Sequence, residues 1–60
     1  MLVRLISDLY YDTPENSIGY VIRKLKTSIL DENQDLYLVR FTKGTEEVAE
    51  FYDLEIIQEN

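Results

Sequence analysis

Leu36-Tyr37-Leu38-Val39-Arg40-Phe41 is the stretch on which the fold turns. Side chains of an extended strand alternate between its two faces, so Tyr37, Val39 and Phe41 share one face. Aromatic and β-branched residues at period two favour a half-buried strand, and this face is expected to meet the core. Directly after it, Thr42-Lys43-Gly44-Thr45 supplies a Gly-containing hairpin turn, and Glu47-Val48-Ala49-Glu50-Phe51 reads as the strand that returns alongside. Directly before it, Asp31-Glu32-Asn33-Gln34 is polar and turn-forming. That turn follows residues 20–30, which are rich in β-branched side chains and long enough to bend as a second strand. Val21 and Leu25 fall on one side of it and Ile22 on the other, which leaves its buried face undecided.

Further out, Leu2-Val3-Arg4-Leu5-Ile6 reads as a short first strand, and residues 7–17 as a long polar loop in which Pro14 stops any continuous helix. A competing reading makes residues 2–11 an amphipathic helix, since Leu2, Leu5, Ile6 and Leu9 also fall at helical spacing. At the other end, Tyr52-Asp53-Leu54 suits a single 3₁₀ turn, and Glu55-Ile56-Ile57 a fifth short strand. Five short strands with one long first loop predict an all-β domain over residues 1–60, a small barrel whose closure removes exposed edges.

Three segments carry a resemblance: Ile18-Gly19-Tyr20-Val21, then Tyr37-Leu38-Val39-Arg40-Phe41, then Tyr52-Asp53-Leu54-Glu55-Ile56. Together they resemble the pattern of small bacterial and phage SH3-like barrels, including uncharacterised families with a G-x-V, Y-x-V-x-F, L-E arrangement. The resemblance spans nearly the whole chain. It implies a five-stranded SH3-like barrel with a short 3₁₀ turn before the last strand, and implies a fold rather than an activity. Asp-Leu-Tyr-Tyr-Asp at 8–12 is also similar to the Ala-Leu-Tyr-Asp-Tyr segment of eukaryotic SH3 domains, whose tyrosines help bind proline-rich peptides. With no Trp in the chain, half of that groove is missing.

Composition narrows the function classes. The 60 residues include 12 acidic and 6 basic side chains, a net charge of −6. Such a field disfavours nucleic acid and anionic membrane surfaces, both of which are held largely by Lys and Arg. The one basic cluster, Arg23, Lys24 and Lys26, is too small to reverse that balance. A hydrophobic content of 45% argues for a folded chain despite the charge. No Cys permits no disulfide and suits a reducing compartment, and no long apolar run opens the chain, so a cytoplasmic location is expected.

Without His or Cys, the commonest general base, the thiol nucleophile and the soft metal ligands are missing. Ser7, Ser17 and Ser28 lack a nucleophile-elbow setting. The carboxylate pairs Asp31 with Glu32, Glu46 with Glu47, and Glu55 with Glu59 read as solvated surface. Asp31, Glu32, Asn33 and Asp35 lack the spacing and the Gly of a calcium loop. No enzyme, metal or cofactor is expected.

Two features point to binding instead. Tyr10, Tyr11 and Asp12 lie in the polar loop, which in a barrel folds back toward Tyr52 and Asp53, and such a cluster could hold a Lys or Arg side chain by cation–π attraction and charge. The plainer alternative is tyrosines lying flat over the barrel mouth. Leu36 and Leu38 point away from Tyr37, Val39 and Phe41, and form either an apolar patch for self-association or docking, or a surface covered by the first loop or the long second strand. The expected function is a non-catalytic protein-interaction module. The alternative is an acidic phage-type inhibitor or decoy that binds a basic surface on a host protein.

Overall fold

The computed structural model describes residues 1–59 and contains five strands: β1 (Leu2–Leu5), β2 (Ile18–Lys26), β3 (Leu36–Phe41), β4 (Glu46–Glu50) and β5 (Leu54–Gln58). Two 3₁₀ turns complete it, η1 (Glu32–Gln34) before β3 and η2 (Phe51–Asp53) between β4 and β5. Every strand pairing is antiparallel, and the strands form one sheet in the order β4-β3-β2-β1-β5. Among the described residues no helix is long and apolar enough to cross a membrane.

β1 settles the competition over residues 2–11. It alternates half-buried Leu2 and Arg4 with buried Val3 and Leu5, the period of a strand with one face inward. The chain then leaves the sheet as a loop with no helical turn of its own. Leu9 sits exposed in that loop, so its helical spacing from Leu5 and Ile6 was coincidental.

The core is six residues drawn from four strands: Val3 and Leu5 of β1, Val39 and Phe41 of β3, Ala49 of β4 and Leu54 of β5. β2 contributes a glycine to this layer. Gly19 is paired with Val3 on one side and Phe41 on the other, and a Cβ there would lie 2.7 Å from Phe41 Cδ1 and 2.7 Å from Val39 Cγ1. The aromatic ring thus fills the space that a side chain on β2 would need. The buried face of β2, undecided from the sequence, is that of Gly19 and Val21. Tyr20, Ile22 and Leu25 face water.

Irregularities fall between Val21 and Arg23, and again between Lys24 and Lys26. Such bulges bend a strand and raise its twist, so β2 spans the change of direction that the long apolar stretch suggested. It ends earlier than expected, at Lys26 rather than residue 30. The Ser28 N–H turns to the Asp35 carboxylate, 2.6 Å away, and leaves the ladder. Ile29 and Leu30, which looked like strand residues, lie in a loop.

On β3, Val39 and Phe41 are buried as expected, while Tyr37 is half-buried, its ring 5.6 Å from that of Phe51. The β3–β4 turn is closed by Gly44 N–H to the Phe41 carbonyl and Phe41 N–H to the Thr45 carbonyl. Gly44 takes φ 85° there, a conformation that costs an L side chain about 1–2 kcal/mol.

The sheet is open. Its two edges are β4 and β5, and no ladder joins them among the described residues. η2 carries the chain straight from one edge to the other, and the 6–17 loop bonds to this junction: Ile6 N–H donates to the Asp53 carbonyl at 2.9 Å. The closed ladder implied by a barrel is thus replaced at this point by a loop and a 3₁₀ turn.

Candidate functional site

The 6–17 loop is held against β4 and η2 by two buried or half-buried carboxylates and one phenol. The Tyr11 hydroxyl donates to Asp53 Oδ2 at 2.6 Å and accepts the Glu50 N–H at 3.1 Å. Burial and then the Asp53 bond push the Tyr11 phenol up to about 12, since both disfavour a phenolate. Asp53 itself is buried at the C-terminal end of η2.

The second clamp is Glu47, whose side chain accepts Asp12 N–H at 3.0 Å, Thr13 N–H at 2.8 Å and the Thr13 hydroxyl. Burial pushes the Glu47 carboxyl up, and the bonds from the Thr13 hydroxyl and the two amides outweigh it, holding the group below its ordinary value of 4.5. Thr13 is 2% exposed, so its donors are satisfied by Glu47 rather than by water. Farther round the loop, Asp8 Oδ2 accepts the Glu15 N–H at 3.3 Å, and Asn16, at φ 72°, accepts from the Arg4 guanidinium.

This scaffold leaves two tyrosines outside it. Tyr10 is 82% exposed and Tyr52 69%; their neighbours Tyr11 and Asp53 form the bond that fixes both segments at one end of the molecule. Asp12 is exposed, its amide engaged by Glu47 and its own carboxylate free of protein contacts among the described residues. Of the five residues singled out in the sequence, Tyr11 and Asp53 meet in a hydrogen bond, and Tyr10, Asp12 and Tyr52 are their neighbours in the chain. Tyr11 and Asp53 are the anchor, and Tyr10, Asp12 and Tyr52 are each exposed to water.

Three ion pairs occur among the described residues: Arg4 with Glu55 at 2.7 Å, Lys24 with Asp35 at 3.2 Å and Arg40 with Glu46 at 2.5 Å. None of them includes Asp8, Asp12, Glu15, Glu50 or Asp53. Among the described residues, these acids of the 6–17 loop and the β4–η2 junction thus make no ion pair.

Leu36 and Leu38 take no part in this network. Both are half-buried rather than openly exposed. Leu38 lies opposite Val48 of β4, and Leu36 lines a hollow beside the 27–31 loop.

Residues that sequence reasoning passed over include Glu47 and Thr13, which read as solvated surface and loop; nothing in their local pattern signals that they meet. Asp35, weighed in the sequence only as a calcium ligand, has a structural role instead. Its side chain is 5% exposed, accepts the Ser28 N–H, and pairs with Lys24, whose Nζ sits 5.6 Å from the Tyr37 ring centre. The Ser28 amide and then Lys24 hold the Asp35 carboxyl below its ordinary value of 3.8 against the opposing effect of burial.

No group of three acidic side chains able to hold a metal ion occurs among the described residues. Set against protein-family models, curated proteins and solved structures, the chain matches none.

Proposed function

We propose that this chain is a non-catalytic protein-interaction module of SH3-like barrel architecture that takes a Lys- or Arg-bearing segment of a protein partner at its tyrosine end. The architecture is supported by the strand order β4-β3-β2-β1-β5, with β5 returning to pair β1, and by the 3₁₀ turn between β4 and β5. The binding reading is carried by one observation: Tyr10 and Tyr52 stand exposed on either side of the Tyr11–Asp53 bond, in segments whose acids make no ion pair among the described residues. Aromatic faces and carboxylates together attract a cationic side chain, by about 0.5–2 kcal/mol for the ring alone. A backing fixed before binding lowers the ordering cost of docking.

An acidic inhibitor or decoy acting on a basic surface of another protein would use the same face, so it is a special case of this reading. The test is capture of partners from lysate of the native source, with wild type and a Tyr10→Ala, Tyr52→Ala double variant, washed at low and high salt. The Debye length falls from about 10 Å at 0.1 M to about 3 Å at 1 M. A partner held at low salt, released at high salt and missed by the double variant supports the proposal. One retained at high salt and by the double variant contradicts it.

A further inference from the structure

The most exposed large hydrophobic side chains lie in the β2–β3 loop: Ile29 at 97% and Leu30 at 87%. The loop that carries them is not slack. Ser28 Oγ accepts the Leu30 N–H at 3.2 Å and the Asp31 N–H at 3.3 Å. Asp31 Oδ1 caps η1 by accepting the Asn33 N–H at 2.9 Å, and buried Asp35 holds the Ser28 N–H at 2.6 Å. The polar groups are spent on fixing the loop, and the two aliphatic side chains are left pointing into water.

Beside them lies an open hollow of about 430 Å³ whose lining includes Lys26, Thr27, Gln34 and Leu36 as well as Ile29 and Leu30. From this combination we infer that the β2–β3 loop is a self-association site, at which a second copy of this chain docks tip to tip about a two-fold axis. An isologous contact requires one patch to be complementary to itself. Here the same patch holds two projecting aliphatic side chains and a hollow floored by Leu36, so each copy offers what the other receives.

Charge fits the same arrangement. Lys26 ends the β2 limb, while Asp31 and Glu32 begin the returning limb. A two-fold axis perpendicular to the plane of the two limbs sets Lys26 of one copy against the acids of the other, which locally offsets the repulsion between two chains of −6 each. The patch is a small part of the 4216 Å² surface, and stable interfaces bury about 800 Å² per partner. The dimer is accordingly weak and dependent on concentration. This inference stands on the loop alone and does not rest on the tyrosine-end reading.

The test is sedimentation velocity across chain concentrations from about 10 µM to about 1 mM, since mass action governs a weak dimer. Wild type is expected to shift from monomer to dimer. Ile29→Asp is expected to stay monomeric with an unchanged melting temperature, its side chain making no core contact. Lys26→Glu and Glu32→Lys are each expected to weaken the dimer several-fold, and the two together to restore it. Concentration-dependent amide shifts in wild type should be confined to residues 26–36, a readout that needs no variant. A monomer throughout, or a dimer indifferent to Ile29→Asp, overturns the inference. So does monomeric binding to phosphatidylserine vesicles that Ile29→Asp abolishes, which would assign the tip to a lipid surface.

Discussion

The Tyr11 hydroxyl bridges the end of β4 and the η2 turn, donating to Asp53 Oδ2 at 2.6 Å while accepting the Glu50 N–H at 3.1 Å. One phenol thereby satisfies a buried carboxylate and an edge-strand amide that would otherwise need water. Tyr11→Phe removes both bonds and leaves Asp53 without that donor. Stranding buried polar groups costs about 1–3 kcal/mol. The urea midpoint should fall accordingly, and amide exchange across the 6–17 loop should quicken.

The same bond predicts a loss of stability at high pH. An unfolded tyrosine titrates near 10.0, and Tyr11 in the folded chain near 12, so the folded state holds the proton more firmly. Its contribution is whole below pH 10 and is lost between pH 10 and 12. Absorbance titration should show a late-ionising tyrosine that Tyr11→Phe removes.

Glu47 is expected to matter more than its surface-like sequence context suggests. A Gln side chain offers one acceptor oxygen where the Glu47 carboxylate receives three hydrogen bonds, two of them on the same oxygen. Glu47→Gln should cost about 1.5–3 kcal/mol, the range for bonds to a charged group. The exchange rates of the Asp12 and Thr13 amides should rise with it, while the β1–β2 amides stay protected relative to global stability.

At Gly19 the account predicts a steric penalty and at Gly44 a conformational one. Gly19→Ala would press the new Cβ to 2.7 Å from both Phe41 and Val39, and forced overpacking of this kind costs about 1–3 kcal/mol. In Gly44→Ala the added methyl would meet nothing within 4 Å, so the cost is the strain of φ 85° alone. A Phe41→Leu change should relieve part of the Gly19→Ala penalty and none of the Gly44→Ala penalty, as thermal melts of the double variants would show.

Acid should loosen the Asp35 clamp on the β2–β3 loop. The Asp35 carboxyl is held below 3.8 by the Ser28 amide and by Lys24, so its contribution is present above about pH 4 and is lost as pH falls through its lowered value. The stability gap between wild type and Asp35→Asn should be full at neutral pH and should narrow below about pH 4 in denaturant melts.

What could be read from the sequence follows the reach of each signal. Alternation along 36–41 marked β3 and its buried face because Val39 and Phe41 sit two apart on a pleated strand. Gly44 and the polar stretches marked turns through local backbone preference. The 29–30 pair misled, since Ile and Leu have the same strand-like look in a loop fixed by Ser28 and Asp35 as they do in a ladder. The buried face of β2 was illegible because the irregularities after Val21 break the period on which such a reading depends. Glu47 and Thr13 were illegible for another reason: they lie 34 positions apart, and nothing local to either encodes the other.

The proposed cation-binding face of Tyr10, Asp12 and Tyr52 can be probed by an amide and tyrosine-ring NMR titration. The probe is an arginine-rich peptide, with a peptide of citrulline in place of arginine as the uncharged control. The account predicts saturable shifts concentrated in residues 8–13 and 50–53, absent with the control and abolished by Tyr10→Ala with Tyr52→Ala. Shifts scattered in proportion to acidic residues over the whole surface, Glu32 and Glu59 included, or no shifts at the tyrosine end, would contradict it.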